Sequence, residues 1–397
     1  MDAPIEGSMD IQEYFKVMVE REASDLYLTV ARPPTYRIDG RVQPSGDPAF
    51  VPQDLEVLAQ SIMNERQRKE FAETMEMNMA MSLPGVSRFR VNIFRQRGSV
   101  GMVIRRVKAD ASTLDELRLP SILKDIVMTK RGLTLVVGAT GSGKSTTLAA
   151  MVDHRNSTEA GHIITIEDPI EFVHRHKKSI ITQREVGFDT NSFQAALKNT
   201  LRQAPDVILI GEIRDTETME AAITFAETGH LCLGTLHSNS ANQAIERIMN
   251  FFPPERHIQI YLQLSLNLRS IISQRLVPSL DGKRAAALEI LLDTPRIKDL
   301  IRKGEVDTLK EGMEQSVQEG CQTFDQALFT LYVEGKINFD QAVSHADSAN
   351  NLRLKIKLAG LKGDEETDAM EPQASEVQDS DKSETLKDAA PFRLRTN

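Results

Sequence analysis

The chain has 397 residues, of which 40% are hydrophobic, so it is long enough to bury more than one core, and we expect two or three domains. Its formal net charge of −9 argues against a nucleic-acid surface over the whole protein, and we expect no nucleic-acid partner. The two cysteines, Cys232 and Cys321, lie far apart, no apolar run approaches the roughly eighteen residues of a membrane span, and the N-terminus lacks a signal-peptide pattern, so we expect a cytoplasmic protein.

Residues 1–110 are predicted to form a small α+β domain. Apolar residues with helical spacing alternate with segments of strand periodicity in this region. The predicted elements are helices over residues 10–20 and 53–73 and strands over residues 25–30, 87–98 and 101–107. Between the first strand and the second helix, the dipeptide Asp39-Gly40 predicts a tight hairpin turn.

Arginines recur in the last two predicted strands of this domain, with Arg88 and Arg90 on one face of the first strand and Arg105 and Arg106 in the second. The apolar residues Phe89, Val91 and Ile93 alternate with them and are expected to face the core. Two explanations stay open: these charged side chains are simply solvated, or they reach an anion on a neighbouring domain or subunit. The arginines in question are Arg88, Arg90, Arg105 and Arg106.

A phosphate-binding loop gives the most specific signal in the sequence. Residues 138–145 fit the pattern G-x-x-x-x-G-K-[ST], directly after an apolar strand and before a helix. In such a loop Lys144 reaches the β- and γ-phosphates and the Ser145 hydroxyl ligates Mg²⁺, while glycines let backbone N–H groups surround the phosphates. A glycine-rich turn that binds nothing is the alternative, and the eight-residue pattern with its flanks argues against it. The predicted nucleotide-binding residues are Gly138, Ala139, Thr140, Gly141, Ser142, Gly143, Lys144, Ser145 and Thr146.

After a linker over residues 111–131, residues 132–292 alternate between strands and helices. This pattern predicts an α/β core whose parallel sheet is covered on both faces. Four strands end in the phosphate loop or in chemically active side chains, and ligands of such sheets bind at the carboxyl ends of the strands, so we expect the four ends to converge. The side chains that follow the other three strands are Glu167, Asp168 and Glu171, then Glu212, then His237.

The last third of the chain is predicted to be mainly helical. A helix ends near Pro253-Pro254, a second helix is predicted over residues 258–276, and a strand over residues 285–292. Residues 293–350 are predicted to form a helical subdomain, and residues 351–397 a mostly disordered acidic tail. The helices predicted in the subdomain cover residues 295–303, 307–319 and 323–334.

The residues alone leave the catalytic acid open. Glu212 ends an apolar strand, where an NTPase commonly has an acid, but the preceding position is Gly211 rather than the usual aspartate. Magnesium and the attacking water are therefore assigned either to Glu212 or to an acid of residues 167–171. A hydrogen-bonded core imidazole is the alternative for His230 and His237, and only His237 stands at the ligand end of its strand.

Several ordered motifs together resemble the type II/IV secretion ATPase superfamily. The segments similar to its Walker A, Asp box, Walker B and His box are, in that order, residues 138–146, 165–172, 210–215 and 227–237. With segments 23–26 and 88–94 added, residues 8–345 resemble the type IV pilus retraction (twitching motility) ATPases of the PilT and PilU type. The stretch 346–354 is more similar to PilU sequences than to PilT sequences.

The resemblance implies an ATP hydrolase with ATP and Mg²⁺ as cofactors. It implies a RecA-like P-loop NTPase core, a smaller PAS-like N-terminal domain and a helical C-terminal portion. Besides Lys144, the implied catalytic residues are Glu171 as general base, Glu212 as the acid acting through Mg²⁺, His230 and His237 of the His box, and Arg90 and Arg105 reaching the nucleotide from the N-terminal domain.

The resemblance also implies a biological role. It implies a homohexameric ring at the inner-membrane base of a type IV pilus, where ATP hydrolysis coupled to domain closure powers or assists pilus retraction. The implied partners are a PilT-type retraction ATPase and a platform protein of the PilC type. A pilus assembly or type II secretion ATPase is the alternative, but such proteins usually carry a four-cysteine zinc insertion that is missing here. A nucleic-acid translocase on the same core is disfavoured by the net acidity.

Overall fold

The computed structural model describes residues 10–84, 86–107 and 111–360, and its strands form two separate sheets. The first sheet consists of β1 Asp25–Leu28, β2 Thr35–Ile38, β3 Arg41–Pro44, β4 Glu76–Leu83, β5 Ser87–Gln96 and β6 Ser99–Val107. The helices packed on it are α1 Ile11–Glu20, α2 Pro52–Ile62 and α3 Glu65–Thr74. The strands pair antiparallel in the order β3-β2-β1-β6-β5-β4.

One face of this sheet carries the core of the N-terminal domain. Phe89, Val91 and Ile93 of β5 are fully buried, as predicted, and pack with all three helices. The Phe15 ring of α1 stacks on the Phe89 ring with centroids 4.0 Å apart. Since neighbouring side chains of a strand point to opposite faces, the arginines of β5 lie on the other face of the sheet.

Two elements of this domain differ from the prediction. The single helix predicted over residues 53–73 is wrong, because the chain leaves α2 at Met63 and starts α3 after Asn64. Asn64 and Gln67 cap the new helix reciprocally, each side-chain oxygen accepting from the other's backbone N–H at 2.9 Å. Strand β4 was not predicted because it lacks β-branched residues, and it exists through its pairing with β5. The predicted turn at Asp39-Gly40 is confirmed, with φ of 47° and 76°.

The second sheet forms the core of the larger part of the chain. Its strands are β7 Gly132–Val137, β8 His162–Glu167, β9 Ile180–Glu185, β10 Val207–Ile210, β11 Leu231–Leu236, β12 Leu268–Pro278 and β13 Arg284–Leu292. Its helices are α4 Ile122–Val127, α5 Lys144–Thr158, α6 Phe193–Thr200, α7 Thr216–Glu227, α8 Ala241–Met249 and α9 His257–Asn267. The C-terminal helices are α10 Pro295–Lys303, α11 Leu309–Gln315, α12 Phe324–Val333, α13 Phe339–Ser344 and α14 Ala349–Leu358.

The seven strands are ordered β13-β12-β7-β11-β10-β8-β9, and all neighbours are parallel except β12 and β13. Apolar clusters lie on both faces, so the predicted parallel sheet with two covered faces is confirmed. The central strands are in register, with Val137 opposite Leu236 and Ile210 opposite Gly234. The carboxyl ends of β7, β8, β10 and β11 therefore lie side by side at the same end of the sheet, as predicted.

The helix predicted over residues 258–276 is wrong in its second half. Helix α9 ends at Asn267, and residues 268–278 form β12, hydrogen-bonded to β7 on one side and to β13 on the other. The apolar residues of this segment suit either structure, because Ile271 and Ile272 point to opposite faces of a sheet that is buried on both sides. Strand β9, at the edge of the sheet, was not predicted either.

Helices α12, α13 and α14 form a cluster on β12 and β13, whereas α10 and α11 pack into the core of the sheet, and α14 corrects the predicted tail. Residues 351–358 belong to α14, which buries Leu352 and Ile356, so the prediction of disorder from residue 351 is wrong there. The rest of the predicted tail, residues 361–397, lies outside the described residues. In the part of the chain that the structure describes, no helix has the length and apolar character needed to span a bilayer.

Candidate functional site

The phosphate-binding loop connects β7 to α5, as the sequence pattern requires. Gly143 has a φ of 90°, and a Cβ at this position would lie 2.7 Å from Nε2 of Gln274, so only glycine fits. The first turn of α5 begins at Lys144 and directs its free backbone N–H groups at the loop. The Ser142 hydroxyl is buried without a hydrogen-bond partner inside the loop. This end of the sheet is therefore built to receive an anion.

Lys144 folds over the loop. Its Nζ donates to the carbonyl oxygens of Gly138 at 2.7 Å and Ala139 at 3.0 Å. Burial lowers the pKa of Lys144, and the nearby negative charge of Glu212 opposes this shift. A desolvated ammonium held by two neutral carbonyls gains most from an incoming phosphate, because a phosphate supplies the charge that the carbonyls lack.

Gln274 of β12 contacts the phosphate loop and the start of α5. It was not predicted from the sequence. Its Oε1 accepts a hydrogen bond from the Thr147 hydroxyl at 2.7 Å, where both side chains are buried. The signal was a polar residue in an apolar run, but the residue lies in the segment that was predicted to be helical. Because that segment is a strand next to β7, Gln274 lies directly beneath the loop.

Glu212 and His237, which follow β10 and β11, contact each other. Nε2 of His237 lies 3.0 Å from Oε1 of Glu212, and Nε of Arg214 donates to Oε2 of Glu212 at 2.7 Å. Both oxygens of this carboxylate are thus oriented by neighbours. Arg214 also lies 3.8 Å from Asp168, so it links two of the predicted strand ends.

The remaining acids of the site lie in different environments. Glu167 is enclosed, with Thr165 Oγ1 donating to it at 2.6 Å and Gln183 Nε2 at 3.3 Å, and burial raises the pKa of Glu167. The Glu171 side chain is 51% exposed and lines the space beside Ser145. Glu167 lines the same space beside Ser145, but its Oε1 is occupied by the Thr165 and Gln183 hydrogen bonds, so Glu171 has the more accessible carboxylate of the two.

A cleft of about 650 Å³ brings the two parts of the chain together. One wall is the phosphate loop with Glu171, and the opposite wall is the arginine face of the N-terminal sheet. Arg90 donates from Nη2 to the carbonyl oxygen of Ile170 at 2.7 Å, and Arg105 donates from Nε to Asp25 at 2.8 Å. The cleft is lined by Arg90, Arg105, Arg106, Val107, Leu117, Leu119, Gly141, Gly143, Lys144, Ser145, Thr146, Thr147, Glu171, Phe172, Gln274, Leu276, Arg284 and Ala286.

The structure thus gathers most of the predicted site residues but not all of them. The arginines at 90 and 105, the loop and Glu171 share the cleft, and Glu212 with His237 lies at the same sheet edge. His230 does not, because it precedes β11 and so stands at the opposite end of that strand, with Nδ1 near the Thr228 hydroxyl and the Phe225 carbonyl. The apolar lining and Arg284 were not predicted, since they come from segments without a motif.

A parallel sheet with a phosphate loop after one strand, and with an acid and a histidine after its neighbours, defines a P-loop nucleotide-binding protein. The sequence matches the Type II/IV secretion system protein family over residues 2–330, and the chain belongs to this family. The family resemblance noted in the sequence is thereby confirmed.

Individual relatives agree with this assignment. The chain is 56% identical over 351 residues to the type IV pilus ATPase PilU of Pseudomonas aeruginosa, covering 88% of this chain and 92% of that protein. It is 44% identical over 343 residues to the retraction ATPase PilT of the same organism, covering 86% of this chain and all of PilT. A type II secretion system protein E of Klebsiella pneumoniae is 40% identical, but over only 44% of this chain and 35% of that protein.

Solved structures show the same fold. The crystal structure of the pilus retraction motor PilT with bound ADP matches with a TM-score of 0.80 and 42% identity, over 87% of this chain and 99% of that chain. The ATPase DotB of Legionella pneumophila matches in fold with a TM-score of 0.72 and 24% identity, over 91% of this chain and 99% of that chain. The predicted fold class is confirmed by these likenesses.

Proposed function

We propose that this chain is an ATPase that powers or assists type IV pilus retraction, and thereby twitching motility. The observation that carries the proposal is the cleft in which the phosphate loop meets the arginines of the N-terminal sheet. ATP binding and hydrolysis are supported by the family and by the likeness to PilT with bound ADP. Retraction, rather than assembly or secretion, is supported by high identity to PilU and PilT over nearly the whole chain.

Mg²⁺ is part of the proposal. Among the described residues, no group of three or more His, Cys, Asp or Glu side chains could hold a metal ion. Independently of this, we propose Ser145 and Glu212 as the protein ligands of a cation that is otherwise bound by phosphate oxygens and water. When bound, Mg²⁺ would neutralise phosphate charge during phosphoryl transfer.

We assign the general base to Glu171 and the orientation of Glu212 to His237. Both Glu171 and Glu167 lie beside Ser145, but Glu171 is 51% exposed, whereas Oε1 of Glu167 accepts hydrogen bonds from Thr165 and Gln183. His237 and Arg214 fix both oxygens of Glu212, which prepares that carboxylate to bind the cation or its water. The catalytic role predicted for His230 gains no support from its position at the far end of β11.

Arg90 and Arg105 are proposed to act on the nucleotide phosphates from the N-terminal domain. Both line the cleft opposite Lys144, and a guanidinium brought to a transferring phosphate is worth about 10³ to 10⁵ in rate. Closure of the N-terminal sheet on the core would then occur with each hydrolysis event, and this would couple chemistry to movement.

The assembly is proposed to be a homohexameric ring in the cytoplasm, at the inner-membrane base of the pilus machine. Family membership and identity to PilT support oligomerisation in general. We propose a PilT-type ATPase and a PilC-type platform protein as the partners. The domain boundaries predicted from the sequence, at residues 110, 131, 292 and 350, are kept as proposals, with the last boundary extended to the end of α14.

The biochemical test uses two substitutions in the purified full chain. Lys144→Ala is expected to abolish ATP hydrolysis, and Glu171→Gln to keep ATP binding while kcat falls by about 10²- to 10⁴-fold, because only the base is lost. Glu73→Gln, on the exposed face of α3, serves as the control and is expected to match the wild type. Near-normal turnover by Glu171→Gln would remove Glu171 from the base role.

The cellular test separates retraction from assembly. Deletion of the gene is expected to reduce twitching or retraction force while pili remain on the cell surface. Loss of all surface pili would instead identify an assembly ATPase and contradict the proposal.

A further inference from the structure

A buried carboxylate joins the two parts of the chain at the edge of the cleft. Glu185 is the last residue of β9, the edge strand of the core, and its side chain is only 1% exposed. Its Oε2 accepts a hydrogen bond from Nη2 of Arg88 at 2.8 Å, and its Oε1 lies 3.6 Å from Nε of Arg90. One acid of the core therefore holds two neighbouring arginines of the N-terminal sheet.

The backbone around Glu185 is fixed on two sides. Its position opposite Glu167 in the β8–β9 pair holds it within the sheet. Its backbone N–H donates to the Asp189 carboxylate at 2.8 Å, and its carbonyl accepts from Asp189 at 2.8 Å, which forms a tight turn. Because its backbone is held in this way, the Glu185 carboxylate has a defined position from which it can orient an arginine side chain.

Arg90 is the side chain that Glu185 orients. Its guanidinium has Nε toward Glu185, Nη2 bonded to the Ile170 carbonyl, and Nη1 at 4.0 Å from Glu171. One hydrogen bond and two ion pairs thus hold the planar guanidinium, and the Arg90 side chain lines the cleft that also contains Lys144. Burial lowers the pKa of Arg90, and the charges of Glu171 and Glu185 oppose that shift.

We propose that Glu185 is a positioning residue for ATP hydrolysis, which orients Arg90 toward the nucleotide by a contact that crosses from the core to the N-terminal sheet. Nε of Arg90 and Oε1 of Glu185 are both buried and make no hydrogen bond, although they form an ion pair. This contact is looser than the Arg88 hydrogen bond, and it leaves Arg90 able to shift toward a phosphate while Arg88 keeps the two parts in register. The inference rests on the proposed role of Arg90 at the nucleotide.

The test is a double-mutant cycle on the purified full chain, with kcat, KM for ATP and the Kd for ADP as readouts. Glu185→Gln keeps the side-chain shape but removes the charge, and kcat is expected to fall by about 10- to 100-fold, as for a catalytic group that is slightly misplaced. The Kd for ADP is expected to stay within about twofold, because the phosphate loop is unchanged. In the Arg90→Ala background, Glu185→Gln is expected to have almost no further effect on kcat, because its action passes through Arg90.

Two further variants guard against a purely structural explanation. Glu56→Gln removes a partly exposed ion pair with Arg95, entirely within the N-terminal domain, and is expected to leave kcat unchanged. Glu185→Asp keeps the negative charge but shortens the side chain by one methylene group, which moves the carboxylate away from Arg90. Its kcat is expected to lie between those of Glu185→Gln and the wild type. A thermal melt of each variant establishes that it is folded, and if Glu185→Gln does not fold, the cycle is run with Glu185→Asp.

The outcomes distinguish a failure of the role proposed for Arg90 from a failure of the role proposed for Glu185. If Arg90→Ala leaves kcat unchanged, the proposed role of Arg90 fails and the role of Glu185 fails with it. If Arg90→Ala lowers kcat but the Glu185 variants do not, or if they lower kcat equally in both backgrounds, only the positioning role of Glu185 is overturned.

Discussion

At the scale of single residues, the site depends on buried polar side chains that no motif contains. Gln274 is one of them, since it joins β12 to the first turn of α5 through the Thr147 hydroxyl and also lies against Gly143. The loop motif specifies which residues contact phosphate, while Gln274 determines where that loop stands relative to the sheet.

We expect Gln274→Leu to weaken nucleotide binding. The substitution leaves the buried Thr147 hydroxyl without its acceptor, which costs about 1–3 kcal/mol of stability. If the loop shifts to relieve this cost, the affinity for nucleotide falls, by about tenfold for each 1.4 kcal/mol. The measurement is the Kd for a fluorescent ADP analogue. In the double variant with Thr147→Val, in which neither polar group remains, part of the loss is expected to return. An unchanged Kd in Gln274→Leu would show that the loop keeps its shape without this support.

At the scale of elements, the sequence predicted best the segments with local signals. The hairpin of β2 and β3 was recognised from Asp39-Gly40, where φ is 47° and 76°. The phosphate loop and α5 followed from spacing alone. Each of these signals acts within a few residues, so it is visible in the sequence.

The elements that the sequence did not predict are those formed by pairing with distant segments. β4, β9 and β12 have weak or ambiguous patterns, and each becomes a strand because a partner strand supplies its hydrogen bonds. Gln274 lies in β12 and Glu185 lies in β9. The motif residues of the site were therefore predictable from the sequence, while these supporting residues were not.

Helix α14 gives a test at this scale. Leu352 is 1% exposed against the C-terminal helical cluster, whereas Leu354 on the same helix is 56% exposed. We expect Leu352→Ala to lower the free energy of unfolding by about 2–5 kcal/mol, as for other buried leucines. The matched control Leu354→Ala is expected to change it by no more than about 0.5 kcal/mol. Chemical denaturation measures both, and equal effects would mean that α14 does not dock as described.

At the scale of the whole molecule, the two sheets meet through charge rather than through a shared apolar core. Among the described residues, the apolar cluster of the N-terminal domain includes none beyond residue 104, and the other clusters begin at residue 114. The contacts between the parts include Arg88 and Arg90 with Glu185 and the Ile170 carbonyl. A polar interface of this kind is easier to rearrange than an apolar one, which suits the proposed closure of the N-terminal sheet on the nucleotide.

In the proposed ring, closure of the N-terminal sheet would be converted into mechanical work, and the ring gives the last prediction. We expect the purified chain to reach six times its monomer mass in the presence of ATP and Mg²⁺, measured by light scattering, because the nucleotide orders the cleft between two mobile parts of each subunit. Mixing with a PilT-type homologue is expected to raise the ATPase rate above the sum of the two proteins measured separately. The Lys144→Ala chain, which cannot use the phosphates, is the control and is expected to contribute no hydrolysis of its own to the mixture. A chain that stays monomeric under every condition would contradict the ring, because closure of an isolated subunit has no neighbour on which to act.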